Sequence, residues 1–389
     1  MGTIQKRKVD VHRGEMKTVL SREWASRPDD EKFLSLEALL SHVRARAEQS
    51  FEDTATVRDL RFDGLVDDDR LVLLHNGRPV DFNHWSLNQV CRYAGAPASY
   101  LRTLPAHLAA TCLQISAITN GAEQAKLYIN GKANVLRAAT GPNYGRVTDA
   151  EVVGSIIEIA KASDVQWKVP GCMDWSTGCY DPTVPVTKET TTLFASDRDV
   201  ALFICDDLNP IEVGLLPNGD PDLMFRGFMA RNSEVGNGYL DVLTMYLRGV
   251  CANRCLWGVE GFQQIKIRHN SWAPEKFREQ LLPAMATYHN ADPMKLANGV
   301  KAAKEPIASL ARGTAEERRE EQTKFLLEMG FGPKMVVDIL GHEAPGTAEI
   351  TSVWDVAQKV TAFAQTLTYH DKRLELETVA SDLLDRVSV

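Results

Sequence analysis

The sequence predicts an α+β protein, in which an antiparallel β-sheet with packed helices is followed by a helical C-terminal region. Three observations predict this class. Two Asn-Gly dipeptides, at 76–77 and 130–131, each lie between apolar runs, which is the pattern of a β-hairpin with a type I′ turn. Ile265 and Ile267 alternate with polar neighbours, as in a half-exposed strand. From Trp272 onward the apolar residues recur at helical spacing.

The N-terminal third of the chain is predicted to place helices around the first hairpin. Residues 1–31 are polar and charged, and we expect them to be loosely ordered. Leucines and alanines at helical spacing predict a helix over 35–50. Two more helices are predicted at 86–94 and 98–117, because the Gly-Ala-Pro sequence at 95–97 interrupts the pattern between them.

The middle of the chain adds a capped helix, two strands and a strongly apolar segment. Thr148 and Asp149 can cap a helix over 150–163, because short oxygen-bearing side chains accept hydrogen bonds from the amides of a first turn. The segments DVALFICDD and DLMFRGFMARNSE are predicted to be paired strands. The apolar run 239–252 is predicted to be a helix that is buried on nearly every side.

These patterns divide the chain into three parts and exclude several classes of protein. We expect an α+β core over 32–270 and a helical region over 271–389, after the loosely ordered N-terminus. No apolar run approaches the roughly 18 residues that span a bilayer, and no signal peptide is evident, so a cytoplasmic protein without a membrane partner is expected. The odd count of seven cysteines predicts no disulfide framework. The absence of the motifs GxxxxGK[ST], HExxH and GxSxG argues against nucleotide-driven motors, zinc proteases and serine hydrolases of familiar type.

Basic residues are concentrated in two segments of a chain whose net charge is −8. Residues 126–146 contain four basic and no acidic side chains, and residues 224–270 contain six basic and three acidic ones. Aromatic residues are interleaved with both groups, a pattern that allows a protein to follow the phosphates of a single strand while its bases stack. A chance distribution of solvated surface charge is the alternative. The candidate nucleic-acid-binding residues are Arg137, Tyr144, Arg146, Arg226, Phe228, Arg231, Asn232, Ser233, Arg254, Lys266, Arg268 and His269.

The loop 231–238 and two groups of metal-ligand residues allow further interpretations. The loop precedes the predicted helix 239–252, so it is either an anion site at a helix N-terminus or a cap formed by Ser233 or Asn237. Zn²⁺ and Mg²⁺ are the metal ions considered. A zinc site would use Cys251, Cys255 and His269, and a magnesium site would use Asp206, Asp207, Asp220 and Asp222. Core packing of the first cysteine and turn formation by the aspartates are the simpler explanations.

Several of these residues make the chain resemble the phage/plasmid-like proteins of the DUF932 family, whose function is not established. The segments VLRAATGPNYGRVTDAEVV, MARNSEVGNGYLDVLTMYLRGVCANRCLWG and IRHN follow one another in that family's order, and 232–253 is the most specific piece. The matched residues are Arg137, Ala138, Tyr144, Asn232, Ser233, Gly236, Val250, Cys251, Asn253, Arg268 and His269. The resemblance implies a phage or plasmid protein in a bacterial host. It supplies no catalytic residues.

Three functions follow as hypotheses. The favoured one is a non-catalytic accessory protein that binds single-stranded DNA, as a homo-oligomer that promotes annealing or recombination. The second is an interaction protein that binds a host protein through its C-terminal region, where residues 301–389 contain 11 basic and 15 acidic side chains. The third is a metal-dependent enzyme that acts on nucleic acid.

Overall fold

The α+β class is confirmed by a computed structural model of the chain. The structure describes residues 27–65, 67, 69–121, 124–162, 167, 169, 173–174, 179–180, 185–206, 208–215, 219–248, 254–255, 265–289, 292–343, 349–367 and 370–385. Within these ranges, antiparallel and mixed sheets occupy the first 270 residues and only helices follow.

The bounds of the strands and helices are as follows. The strands are β1 Lys32–Phe33, β2 Ser50–Ala55, β3 Arg61–Leu65, β4 Arg70–His75, β5 Arg78–Phe82, β6 Ala125–Asn130, β7 Val135–Thr140, β8 Met173–Asp174, β9 Cys179–Tyr180, β10 Leu193–Ala195, β11 Val200–Cys205, β12 Ile211–Leu215, β13 Pro221–Asn232, β14 Leu240–Arg248, β15 Arg254–Cys255 and β16 Ile265–Ile267. The α-helices are α1 Leu36–Glu48, α2 His84–Ala94, α3 Ala98–Leu101, α4 Ala106–Asn120, α5 Asp149–Ala162, α6 Ala273–His289, α7 Pro293–Ala303, α8 Ala308–Ala311, α9 Ala315–Glu328, α10 Pro333–Gly341, α11 Val353–Ala364 and α12 His370–Asp385.

The smaller of the two main sheets has the strand order β2-β6-β7-β5-β4-β3. All its neighbouring strands are antiparallel except β5 and β7, which are parallel. Helices α2 and α4 cover one face, where Leu87 and Leu113 join Leu73 and Leu127 of the sheet in a hydrophobic core of their own. Burial of these side chains stabilises the sheet through the hydrophobic effect.

The larger sheet has the order β1-β10-β11-β13-β14-β15, with β12 beside β13 and β16 beside β14. Its main core lies on one face, where Leu202, Ile204 and Val242 pack with residues of α5 and α11 such as Ile156 and Val360. A second, smaller cluster that includes Phe203, Met229 and Met245 lies on the other face. The central strands are therefore buried on both faces.

The predicted helix at 239–252 is wrong, because residues 240–248 form strand β14. Leu240, Val242 and Tyr246 belong to the main core, whereas Leu243 and Met245 belong to the cluster on the opposite face. A strand that is buried on both faces reads as a nearly continuous apolar run, and such a run cannot be distinguished from a buried helix by periodicity alone. The remainder of the predicted helix, 249–252, lies outside the described residues.

The first predicted hairpin is confirmed in detail and the second only in its strands. Asn76 and Gly77 have φ of +50° and +74°, as a type I′ turn requires. In the second hairpin, four residues rather than two join β6 to β7. The Asn130 side chain accepts hydrogen bonds from the amides of Lys132 and Ala133, which stabilises this longer turn.

Three further expectations meet different outcomes. Thr148 caps α5 as predicted, since its hydroxyl accepts a hydrogen bond from the amide of Glu151 at 3.1 Å. The helix predicted over 98–117 is instead two helices, with Pro105 immediately before the second. Residues 27–31 are not loosely ordered: Arg27 is buried and binds Asp199. Residues 1–26 lie outside the described part of the chain.

The described C-terminal region consists of helices α6 to α12, as the sequence predicts. Among the helices that the structure describes, none is long and apolar enough to cross a membrane.

Candidate functional site

The segment 231–238 contains the end of β13 and most of its connection to β14, and it lies where the two sheets meet. The backbone carbonyl of Val235 accepts hydrogen bonds from Trp85 at 3.0 Å and from Gln89 at 2.8 Å, both on α2 beside the smaller sheet. Gly236 has φ of +82°, and a Cβ at this position would lie only 3.2 Å from the Thr140 side chain. The glycine therefore allows both the left-handed backbone and the close approach of the two sheets.

Four buried charged side chains meet beneath this loop. An oxygen of the Glu234 carboxylate lies 2.5 Å from Arg137 and 3.6 Å from Arg46. The second carboxylate, Asp149, lies 2.6 Å from Arg46 and accepts a hydrogen bond from the Asn232 amide at 2.7 Å. Two guanidinium groups thus face two carboxyl groups, so charge buried in this cluster has partners within it.

The two carboxylates differ in acidity because their surroundings differ. Burial and the nearby charge of Glu234 raise the pKa of Asp149 to about 8. Burial also acts to raise the pKa of Glu234, but Arg137 and Arg46 outweigh it and lower that pKa. Paired carboxylates with divergent pKa values occur in acid–base catalysis. Here both carboxyl groups are almost fully buried and contact arginines, so the cluster connects the sheets through the ion pairs of Glu234 and the hydrogen bonds of Asp149.

Tyr144, Arg146 and His269 extend the same junction. The Tyr144 hydroxyl donates a hydrogen bond to the Ser233 carbonyl at 3.0 Å, and its ring stacks on His269 with centroids 5.1 Å apart. The Arg146 guanidinium lies 4.0 Å from the centroid of the Tyr128 ring and forms an ion pair with a carboxylate of β2. Burial, reinforced by the charge of Arg146, lowers the pKa of His269 to about 4, so its imidazole is neutral at pH 7.

Six of the twelve residues predicted to bind nucleic acid therefore belong to this junction. Arg137, Asn232, Ser233 and His269 are buried in the junction, and Arg146 and Tyr144 are engaged there. This corrects their predicted placement on a binding face: the polar groups satisfy one another between the two sheets instead of facing solvent.

The predicted residues of β13 have other roles. Phe228 is a core residue, 1% exposed, and its ring packs edge-on against Trp167 with centroids 5.1 Å apart. It cannot stack on a base, which corrects that prediction. The half-buried Arg226 forms a side-chain hydrogen bond with Tyr246. Only the backbone of Arg254 is described, in β15 opposite Leu247.

The remaining predicted residues lie together at one end of the larger sheet. In the register of the sheet, Arg231 of β13 lies opposite Asp241 of β14, and Asp241 lies opposite Lys266 of β16. The three residues therefore form one row across the strands. Paired residues point to the same face of a sheet. Lys266 and the nearby Arg268 are exposed, and Arg231 is half-buried.

Two exposed aromatic residues that sequence reasoning missed lie on the segments next to these cations. Tyr239 is 44% exposed, and the Lys266 ammonium lies 5.1 Å from its ring centroid, within the range of a cation–π contact. Trp272, just before α6, is 63% exposed. Tyr239 was not predicted because it falls in the segment expected to form a buried helix. Trp272 was not predicted because it lies at the start of the expected helical region. We call Arg231, Tyr239, Lys266, Arg268 and Trp272 the basic–aromatic patch.

The predicted metal-ligand groups have other partners where the structure describes them. Asp206 accepts hydrogen bonds from the Leu208 amide at 3.2 Å and from the Asn209 side chain at 2.8 Å, so it forms a turn. Asp222 is buried in an ion pair with Lys304 at 2.8 Å. Within the described ranges, no three Asp, Glu, His or Cys side chains are grouped to hold a metal ion. Asp207 and Cys251 lie outside those ranges.

In comparisons with known proteins, no family model, curated protein or solved structure matches this chain. The resemblance to the DUF932 family therefore stays a prediction.

Proposed function

We propose that this protein binds single-stranded DNA, without catalysing a reaction, through the basic–aromatic patch. The observation that carries the proposal is the combination of two exposed rings, Tyr239 and Trp272, with the exposed cations Lys266 and Arg268 on neighbouring segments. Exposed aromatic rings offer stacking surfaces to unpaired bases, and the cations neutralise phosphates. An accessory role in a phage or plasmid is part of the proposal and rests on the resemblance alone.

The local concentration of charge supports the proposal. The chain is acidic, with a net charge of −8, and an acidic protein does not attract nucleic acid non-specifically over its whole surface. The phosphate contacts are thus confined to the patch. Because few phosphates are neutralised, we expect weak to moderate affinity that decreases with salt concentration.

The proposal is tested by fluorescence anisotropy with a labelled single-stranded oligonucleotide at two salt concentrations. The double variant Lys266→Glu/Arg268→Glu should abolish binding at the higher salt concentration. Trp272→Ala should weaken binding roughly 5- to 100-fold, because a base–aromatic stack contributes about 1–3 kcal/mol. Lys132→Glu/Arg78→Glu is the matched control, since it makes the same charge change at exposed turns of the smaller sheet. Equal losses in both double variants would overturn the proposed location.

A protein partner is the second candidate function, and one observation favours it. The solvent-facing side of α9 carries Arg319, Thr323 and Leu327 on successive turns, and Leu327 is 41% exposed. Capture of a bacterial protein that survives nuclease treatment and is lost in Leu327→Asp would support this candidate. Capture that nuclease abolishes would favour the nucleic-acid proposal.

A further inference from the structure

Arg198 is a buried cation without a hydrogen-bond partner in the described structure. It lies in the turn 196–199 between β10 and β11, and its side chain is 0% exposed. None of its three guanidinium nitrogens forms a hydrogen bond to the described residues. A buried, unpaired charge is among the most unfavourable arrangements in a folded protein, since the lost hydration is not replaced.

The neighbouring carboxylates do not supply the missing partner. Asp199 binds Arg27 through two hydrogen bonds of 2.9 and 2.7 Å and also accepts one from Ser196 at 2.5 Å. The charge of Asp197 is the strongest attraction that Arg198 experiences, but it forms no hydrogen bond to Arg198 in the described structure, and one of its carboxylate oxygens is also buried without a partner there. Burial lowers the pKa of Arg198, and the charges of Asp197 and Asp199 offset this only in part.

The surroundings of Arg198 include a second unpartnered polar group. The Ser233 hydroxyl donates a hydrogen bond to the Arg198 carbonyl at 2.7 Å and accepts one from the Asn237 amide at 3.1 Å. The oxygen and nitrogen of the Asn237 side chain are both buried, and neither has a hydrogen-bond partner in the described structure. The Ser233 hydroxyl thus connects the backbones of Arg198 and Asn237, two residues whose side chains lack hydrogen-bond partners in the described structure.

Trp85 lies against the Arg198 side chain, and Asn237 belongs to a partly exposed loop. The centroid of the Trp85 ring is 5.5 Å from the Arg198 guanidinium carbon, and both Trp85 and Asn237 are half-buried. Gly236 and Gly238 on either side of Asn237 are exposed. Arg198 is therefore connected, through Ser233, to a loop with exposed glycines, and the Trp85 indole lies beside its guanidinium.

We propose that Arg198 and Asn237 bind a phosphate group beside Trp85. A guanidinium offers five N–H donors in a planar fork that matches the oxygens of phosphate, and the Asn237 amide adds two donors. A phosphate offers acceptors on all sides, so it can accept hydrogen bonds from the Arg198 guanidinium and from the Asn237 amide nitrogen at once. Free inorganic phosphate and the 5′-terminal phosphate of an oligonucleotide share this chemistry.

Isothermal titration calorimetry and thermal unfolding with inorganic phosphate test the site. We expect one phosphate per chain and a melting temperature that rises with phosphate concentration. Arg198→Met should bind no phosphate and, without phosphate, should melt at or above the wild-type temperature because an unpaired buried charge is removed. Asn237→Ala should fold normally and bind phosphate about 10- to 100-fold more weakly, the loss expected for a hydrogen bond to a charged group.

Two controls separate this site from the basic–aromatic patch. Arg78→Met, at an exposed position, should bind phosphate as the wild type does. Lys266→Glu/Arg268→Glu should also retain phosphate binding while it loses the oligonucleotide. A wild-type melting temperature that does not respond to phosphate would overturn the proposal, and so would equal responses of the wild type, Arg198→Met and Asn237→Ala.

The source of the phosphate is distinguished with two oligonucleotides of one sequence, carrying a 5′-phosphate or a 5′-hydroxyl. Preferential binding of the phosphorylated form that disappears in Asn237→Ala identifies a strand end as the ligand. Equal binding of both forms, together with a response to inorganic phosphate, identifies the free ion.

Discussion

Glu234 lies between two guanidinium groups, and its surroundings explain why residues of the loop 231–238 are buried. Its carboxylate contacts Arg137 and Arg46, and one oxygen accepts a hydrogen bond from the Asp149 amide at 3.0 Å. Every strong polar partner of Glu234 is thus inside the protein. A polar side chain is therefore not necessarily exposed to solvent, because buried polar residues can form hydrogen bonds and ion pairs with one another.

Glu234→Gln should destabilise the protein by about 3–5 kcal/mol, because it leaves Arg137 and Arg46 with one buried carboxylate between them. Urea unfolding measures the change. Glu52→Gln is the control: its carboxylate pairs with Arg146 and Lys126 but is partly exposed, so its loss should cost at most about 1 kcal/mol. Similar losses in the two variants would contradict the compensating role of Glu234.

His269 should make stability depend on pH. Its pKa is about 4 in the folded protein, against 6.5 for an unperturbed histidine. The unfolded chain therefore binds a proton between pH 6.5 and 4 while the folded chain does not, so the stabilisation is complete above pH 6.5 and is lost as pH falls towards 4. In His269→Gln, the free energy of unfolding should decrease less over this window. His107→Gln, at an exposed position, is the control. Identical pH profiles for the wild type and His269→Gln would contradict the assignment.

At the scale of elements, the pairing of β14 within the sheet determines that this apolar segment is a strand, whereas its local pattern is compatible with a strand or a buried helix. It pairs with β13 over eight residue pairs, from Met224↔Arg248 to Arg231↔Asp241, and β16 lies along its other edge. Alternate side chains enter two separate clusters. The same apolar run in a helix would leave β13 and β16 without their hydrogen-bonding neighbour.

Leu240→Ala and Met245→Ala should each reduce stability by about 2–5 kcal/mol, because each removes a fully buried side chain. The two side chains belong to clusters on opposite faces, so the losses should add within about 0.5 kcal/mol in the double variant. Chemical denaturation of the two single variants and the double variant measures this. Strong non-additivity would contradict burial on opposite faces.

At the scale of the whole molecule, two hydrophobic cores are joined by a polar junction. The cores of the smaller and larger sheets are separate clusters. Gln89 connects the two units: its amide nitrogen donates to the Val235 carbonyl at 2.8 Å, and its oxygen accepts from the Ala139 amide at 2.9 Å. Such polar contacts, together with the small apolar cluster of Tyr128, Ala138 and Val235, therefore couple the unfolding of the two units.

Gln89→Leu should separate the unfolding of the two units, because it leaves the buried Ala139 amide without a partner and removes one of the two hydrogen bonds to the Val235 carbonyl. We expect a single transition in the wild type and an earlier loss of hydrogen-exchange protection over 57–140 in the variant. Gln114→Leu, which removes hydrogen bonds to Leu60 and Phe62 inside the smaller unit, is the comparison. A single shared transition in Gln89→Leu would contradict the coupling role.

Short-range physics accounts for the parts of the fold that could be predicted from the chain alone. The Asn76-Gly77 turn, the Thr148 cap and the alternation of Ile265 and Ile267 depend on residues within a few positions of one another, so local pattern suffices. The same rules predict the helical C-terminal region, whose amphipathic periodicity is local as well.

Tertiary packing alone decided where the candidate site lies. Arg137, Asn232 and Glu234 converge because two sheets meet, and nothing near them in the chain indicates which face is covered. Tyr239 and Lys266 become neighbours only through the register of β14 with β16. Burial and register depend on contacts between distant segments, and local propensity contains no information about those contacts.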